Sequence, residues 1–143
     1  MSKGNTFEND WMKLIFQATA IANIADNAAV SPLTNLYISL HTVDPGEAGD
    51  QSTSEANYTS YARVVVLRTA VGWTISNNQA VNAATISFPQ ATGGSSTVTY
   101  FAVGTASSGA GKILYSGALT AQLAITTGIT PSFAAGALIV TED

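Results

Sequence analysis

The hydropathy period of this chain changes at Pro32, and that change limits the folds open to it. Before Pro32, Trp11, Leu14, Ile15, Ala18, Ile21, Ala22 and Ala25 recur at intervals of three and four. That spacing places apolar groups on one face of a helix. Asn9 or Asp10 can cap its first turn, Asn27 can stop it, and residues 1–9 read as an arm ahead of it. After Pro32 the period is two. In "NLYISLHT", Leu36, Ile38 and Leu40 alternate with Tyr37, Ser39 and His41, the pattern of a half-buried strand. "YARVVVLRT", "GWTIS", "AVNAATISFP", "TVTYFAVGTA", "KILYSGALT", "QLAITTGI" and "GALIVTED" follow, separated by clusters of Gly, Asn, Ser and Pro. No helical stretch lies between these later runs to carry the crossover that parallel strands require. The expected fold is therefore mainly β: an antiparallel β-sandwich or jelly roll of about eight short strands with one N-terminal helix. Residues 1–34 form the arm and helix, and residues 35–143 the β domain.

A chain of 143 residues suits one domain. It has no cysteine, so it can form neither a disulfide nor a thiolate metal site. Charged residues make up 10% of it, where about 25% is usual. Its surface must be covered largely by Ser, Thr, Asn, Gln and Ala, which are dried at modest cost because few ions lose their water. That composition suits a protein that lives against other proteins. The five basic residues, Lys3, Lys13, Arg63, Arg68 and Lys112, are scattered, and the net charge is −4. No basic stripe exists to neutralise a row of phosphates, so no nucleic-acid partner is expected. No run approaches the roughly 18 apolar residues of a spanning helix, so no membrane partner is expected either. Glu8 and Asp10 stand where a secretory leader would be basic. A soluble protein made in the host cytoplasm is expected.

The stretch "LHTVDPGEAGDQSTSEANYTSYAR" holds the only histidine, followed by Asp44, Glu47, Asp50 and Glu55. A metal at His41 would need two or three further converging ligands. Asp44, Glu47 and Asp50 are spaced by three, whereas calcium loops take ligands at every second position. Asp44-Pro45-Gly46 reads as a turn opening a solvated loop. "SSGAGK" lacks the first glycine and the hydroxyl of a phosphate loop, and it leads into a strand. "TGGSS" lacks the surroundings of a nucleophilic serine. The acids cluster in the arm, one loop and the C-terminus, and aromatics are only 8%, which argues against a groove-lining glycosidase. No catalytic, cofactor-binding or metal-ligating residue is assigned, and no enzyme is expected. The excursion from 43 to 60 is long for a plain connection, and such loops often carry contacts.

"LYISLHTVDPGEAGDQSTSEANYTSYARV", "GWTISNNQAVNAATISFPQATGG", "YFAVGTASSGAGKILYSGAL" and "ITTGITPSFAAGALIVTED" together resemble small structural proteins of tailed bacteriophages. The likeness spans residues 35–143 and is strongest to jelly-roll capsid decoration, or cement, proteins. It implies a virion protein on the outer capsid surface that bridges neighbouring subunits of the phage major capsid protein. It also implies a homo-oligomer, dimer or trimer. A tail or tail-fibre component is the alternative within the same class. A glycan-binding β-sandwich using Tyr58, Tyr61 and Tyr100 is the alternative outside it.

Partner contacts are expected first from Phe7, Trp11 and Phe16 on the N-terminal segment. The 43–60 loop, with Asp44, Glu47 and Tyr58, ranks second together with the tips at 92–96 and 107–111. The helix either anchors a partner or plugs one end of the β core. Deleting residues 1–26 separates the two readings. Trp73 is expected in the core.

Overall fold

The computed structural model describes residues 5–21 and 32–142. Among them are one helix and nine strands: α1 (Asn5–Gln17), β1 (Asn35–His41), β2 (Val64–Leu67), β3 (Trp73–Ser76), β4 (Gln79–Asn82), β5 (Ile86–Ser87), β6 (Ser96–Gly104), β7 (Ile113–Ile125), β8 (Ser132–Phe133) and β9 (Ile139–Thr141). The strands form three sheets, ordered β2-β1-β6-β7, β3-β4-β9 and β5-β8. The chain is mainly β and antiparallel with an N-terminal helix, as its hydropathy period requires. It divides into two compact units. One comprises residues 1–35, 67–86 and 133–143, and the other residues 36–66 and 87–132.

In the first unit the helix begins at Asn5, so residues 5–9 are helical and not part of an arm, and Asn9 and Asp10 lie inside it. It ends at Gln17. Ala18 turns into the left-handed region (φ 54°), and Thr19 N–H donates to Lys13 O at 3.2 Å. The expected stop at Asn27 falls outside the described residues. The helix packs Met12 and Phe16, both fully buried, towards β3, where Phe16 meets Trp73 edge-on at 4.5 Å between ring centroids. Trp73 is in the core, as expected. Arg68 donates to the last carbonyls of the helix, to Ile15 O at 2.6 Å and to Leu14 O, so a cation faces the negative end of the helix dipole. β3 and β4 form a hairpin in which Ser76 pairs with Gln79 and Asn77 supplies the positive φ of a two-residue turn (54°).

"AVNAATISFP" is two strands and not one. Asn82 breaks it. Its buried side chain donates to Ala84 O and Ala134 O and accepts from Leu138 N–H. It thereby holds backbone groups that a continuous strand would have paired elsewhere.

In the second unit β1 pairs with β6, Ile38 opposite Val103 and Leu40 opposite Phe101, giving one apolar face with Leu36. β7 pairs with β6 on the other side, and Gly117 stands opposite Phe101. A Cβ at Gly117 would lie 3.0 Å from the Phe101 ring, so the glycine is what lets that ring lie across the strand. "KILYSGALT" and "QLAITTGI" are one strand. Its ladder with β6 is interrupted, because pairing passes from Val98–Leu123 to Tyr100–Ala118 and leaves Leu119–Gln122 outside the register.

Candidate functional site

β1 is buried on both faces, contrary to the half-buried strand that its alternation suggests. The polar face is covered by the long loop, and the covering residues form a connected network. His41 Nδ1 donates to Thr53 O at 2.8 Å, which leaves Nε2 to accept from Ser39 Oγ at 2.9 Å. Desolvation holds the His41 pKa below its ordinary value, opposed by the Thr53 carbonyl and the Glu55 carboxylate, so the ring is neutral at pH 7. Arg63 grips Glu55 through two parallel bonds, Nε to Oε1 at 2.6 Å and Nη2 to Oε2 at 2.8 Å. It also donates to Ala106 O at 2.9 Å and Gly109 O at 2.7 Å. The Glu55 bonds raise the guanidinium pKa further. The Tyr61 hydroxyl donates to Glu55 and accepts from Leu40 N–H. Burial pushes its pKa well above the ordinary phenol range.

Gln51 is fully buried. Its amide donates to Tyr37 O at 3.1 Å and accepts from Ala106 N–H at 3.0 Å. Gly104 and Gly111 make this possible, since a Cβ on either would collide with the Gln51 side chain. "SSGAGK" is therefore a turn whose carbonyls face Arg63 and Gln51, with no phosphate cradle.

The pair Ser39–His41 has the spacing of a nucleophile and its base. Both side chains are 0% exposed, and the imidazole is oriented by a carbonyl. Both are closed off from solvent in this fold. Among the described residues no group of three or more His, Cys, Asp or Glu side chains is placed to hold a metal ion. No described helix is long and apolar enough to cross a membrane.

The residues expected to make contacts are not brought to one place. The side chain of Phe7 lies outside the described residues. Trp11 is half-buried on α1, and Phe16 is inside the first unit. Tyr58 is 2% exposed, with its hydroxyl donating to Pro89 O at 3.0 Å, and its ring meets Tyr61 edge-on. Two of the three rings proposed as a glycan platform are thus tied into the interior of the second unit. Asp44 and Glu47 are exposed and do share a site. Asp44 accepts from Gly46 N–H at 2.9 Å in the expected turn. Both line a groove of about 430 Å³ with Gly46, Gly49 and Ile113–Ser116 of β7. The tip at 107–110 is exposed, while the one at 92–96 is bridged to Thr59 through Gly93 and holds Ser60 through Thr92. The groove wall on β7 escaped sequence reasoning, because apolar residues in a strand are ordinarily assigned to the core.

Residues 4–141 match the family described as podophage GP4 fiber I protein gp80. The chain belongs to this family. A search of curated proteins finds no match. The family is one of phage fiber proteins, so the chain is a virion structural component, as its resemblance to phage structural proteins implies. The match is not specific to capsid decoration and agrees better with the tail-fibre alternative.

Proposed function

We propose that this protein is a component of a phage tail fiber, a stiff β module that contributes contacts and no chemistry. The family match over residues 4–141 carries this reading. The burial of the Ser39–His41 pair supports it, since the one arrangement with catalytic spacing is sealed from solvent. The scarcity of charge supports it as well, because a surface with few ions is covered by neighbouring subunits at little desolvation cost. Within a fiber the chain assembles as a homo-oligomer, and repeated weak contacts add through avidity.

Localisation and copy number test the proposal. Antibodies against the purified chain should label the tail region of negatively stained virions, and gel densitometry should give a few copies per particle. Labelling spread over the head, with saturable binding to undecorated heads and a rise in their melting temperature, would instead make it a decoration protein bridging major capsid subunits.

A further inference from the structure

We propose that β7 is the self-association edge of this protein, with two copies pairing antiparallel about a two-fold axis at Ser116. The inference concerns the isolated chain and stands apart from its position on the virion. β7 is the last strand in the order β2-β1-β6-β7, and among the described residues no strand flanks its outer side. From Ile113 to Ala124 every residue is exposed or half-buried. Sheets that end in water normally protect such an edge with charge, proline or brevity. β7 is 13 residues long and contains neither a charged residue nor a proline.

The groove gives the edge a receiving surface. Ile113, Leu114, Tyr115 and Ser116 all line it. Consecutive strand residues point to opposite faces, so a groove touching four in a row runs along the side of the strand and not over one face. The loop carrying Asp44 and Glu47 forms its far wall. An added strand would fill it.

The strand's own sequence selects the occupant. In an identical antiparallel pair a charge at or beside the axis meets its own copy, directly or on the diagonal, which destabilises the pairing. A charge-free strand escapes that wherever the axis falls. An antiparallel pair with a two-fold axis places one residue opposite its own copy. Centring on Ser116 sets Tyr115 against Gly117 and Leu114 against Ala118, a large side chain facing a small one each time. Gly117 is where the Phe101 ring lies across the strand, so the partner copy's Tyr115 would arrive over an aromatic surface. The break in the β6–β7 ladder at Leu119–Gln122 ends the straight run and limits slippage, which makes the assembly a closed dimer. A ladder this short lies at the small end of protein interfaces, and dissociation in the roughly micromolar range is expected.

Sedimentation of the full chain from about 1 to about 100 µM should show a monomer–dimer equilibrium. Ser116→Lys, at an exposed position, brings two ammonium groups to the axis and should weaken the dimer at least tenfold with an unchanged circular dichroism spectrum. The chain has no cysteine, so Ser116→Cys should give a covalent dimer on oxidation and the exposed turn variant Ser107→Cys should not. In the wild-type chain, amide exchange across 113–119 should slow as concentration rises. That measurement decides the matter even if Ser116→Lys fails to fold. A monomer throughout, a trimer, a dimer indifferent to Ser116→Lys, or concentration-dependent protection located elsewhere would each overturn the proposal. So would an edge that is covered only when another virion protein is added.

Discussion

Arg63 is 9% exposed and each of its three guanidinium nitrogens is bonded, with two bonds to Glu55 and two to backbone carbonyls. Such a pair adds little over an apolar substitute, but removing one member strands a buried charge. Glu55→Ala should therefore cost about 3–5 kcal/mol, read as a fall in the urea midpoint. Asp44→Ala, at an exposed carboxylate, should stay within about 0.5 kcal/mol. His41 gives a dependence on pH. Its folded pKa lies below its ordinary 6.5, so the unfolded chain takes up the proton first. Its contribution to stability is complete above pH 6.5 and is lost as pH falls towards the folded value. Melting temperatures measured between pH 8 and pH 5 should fall on the acid side, and His41→Gln should flatten that limb. The carboxylates contribute their own slope at lower pH, and the comparison with the variant removes it. This network was hidden in the sequence for a physical reason. Gln51, Glu55, Tyr61 and Arg63 belong to residue types usually left in water, and spacing does not reveal that they satisfy one another. Asp44-Pro45-Gly46 was visible, because an Asx-type turn is closed within three residues.

At the scale of elements, the helix end offers a direct test of local geometry. The 3.2 Å bond from Thr19 N–H back to Lys13 O, with Ala18 at φ 54°, closes the helix through a left-handed residue, at a site where glycine is usual. An alanine there bears the cost of its Cβ in the left-handed region. Ala18→Gly should raise stability by about 1 kcal/mol, seen as a higher thermal midpoint. The same site explains why the helix end was misplaced from sequence. Without a glycine or proline at 18, the apolar period runs on through Ile21 and beyond. The start was ambiguous because Asn5, Thr6, Asn9 and Asp10 are all able to cap. β7 shows the converse. Division into two strands was partly sound, since the ladder does break at Leu119–Gln122, but the polypeptide continues as one edge. Alternation concealed the break at Asn82, whose neighbours Ala80, Ala84 and Ile86 keep period two across it.

On the scale of the whole molecule, the fold class followed from the change of period at Pro32, but the interleaving of the units did not. The chain crosses from one unit to the other after Asn35, Val66, Ile86 and Ser132, so each unit is completed by segments remote in sequence. Hydropathy reports what is buried and not which distant segment buries it. That interleaving bears on the two roles weighed for the N-terminal helix. Met12 and Phe16 are fully buried, and Phe16 lies against Trp73, so the helix is part of the core of its unit. Phe16→Ala should cost about 3–5 kcal/mol by leaving a cavity beside the indole. Deleting residues 1–26 is the stronger form of the same experiment. It removes Trp11 and leaves Trp73 as the only indole, so fluorescence reports directly on the site the helix covers. The shortened chain should be recovered largely insoluble, and any soluble fraction should emit at longer wavelength and unfold without a cooperative transition. A soluble product with blue-shifted Trp73 emission and a sharp transition would return the helix to the role of a partner anchor. In that case the packing of Phe16 on Trp73 would be a resting contact, released when the partner binds.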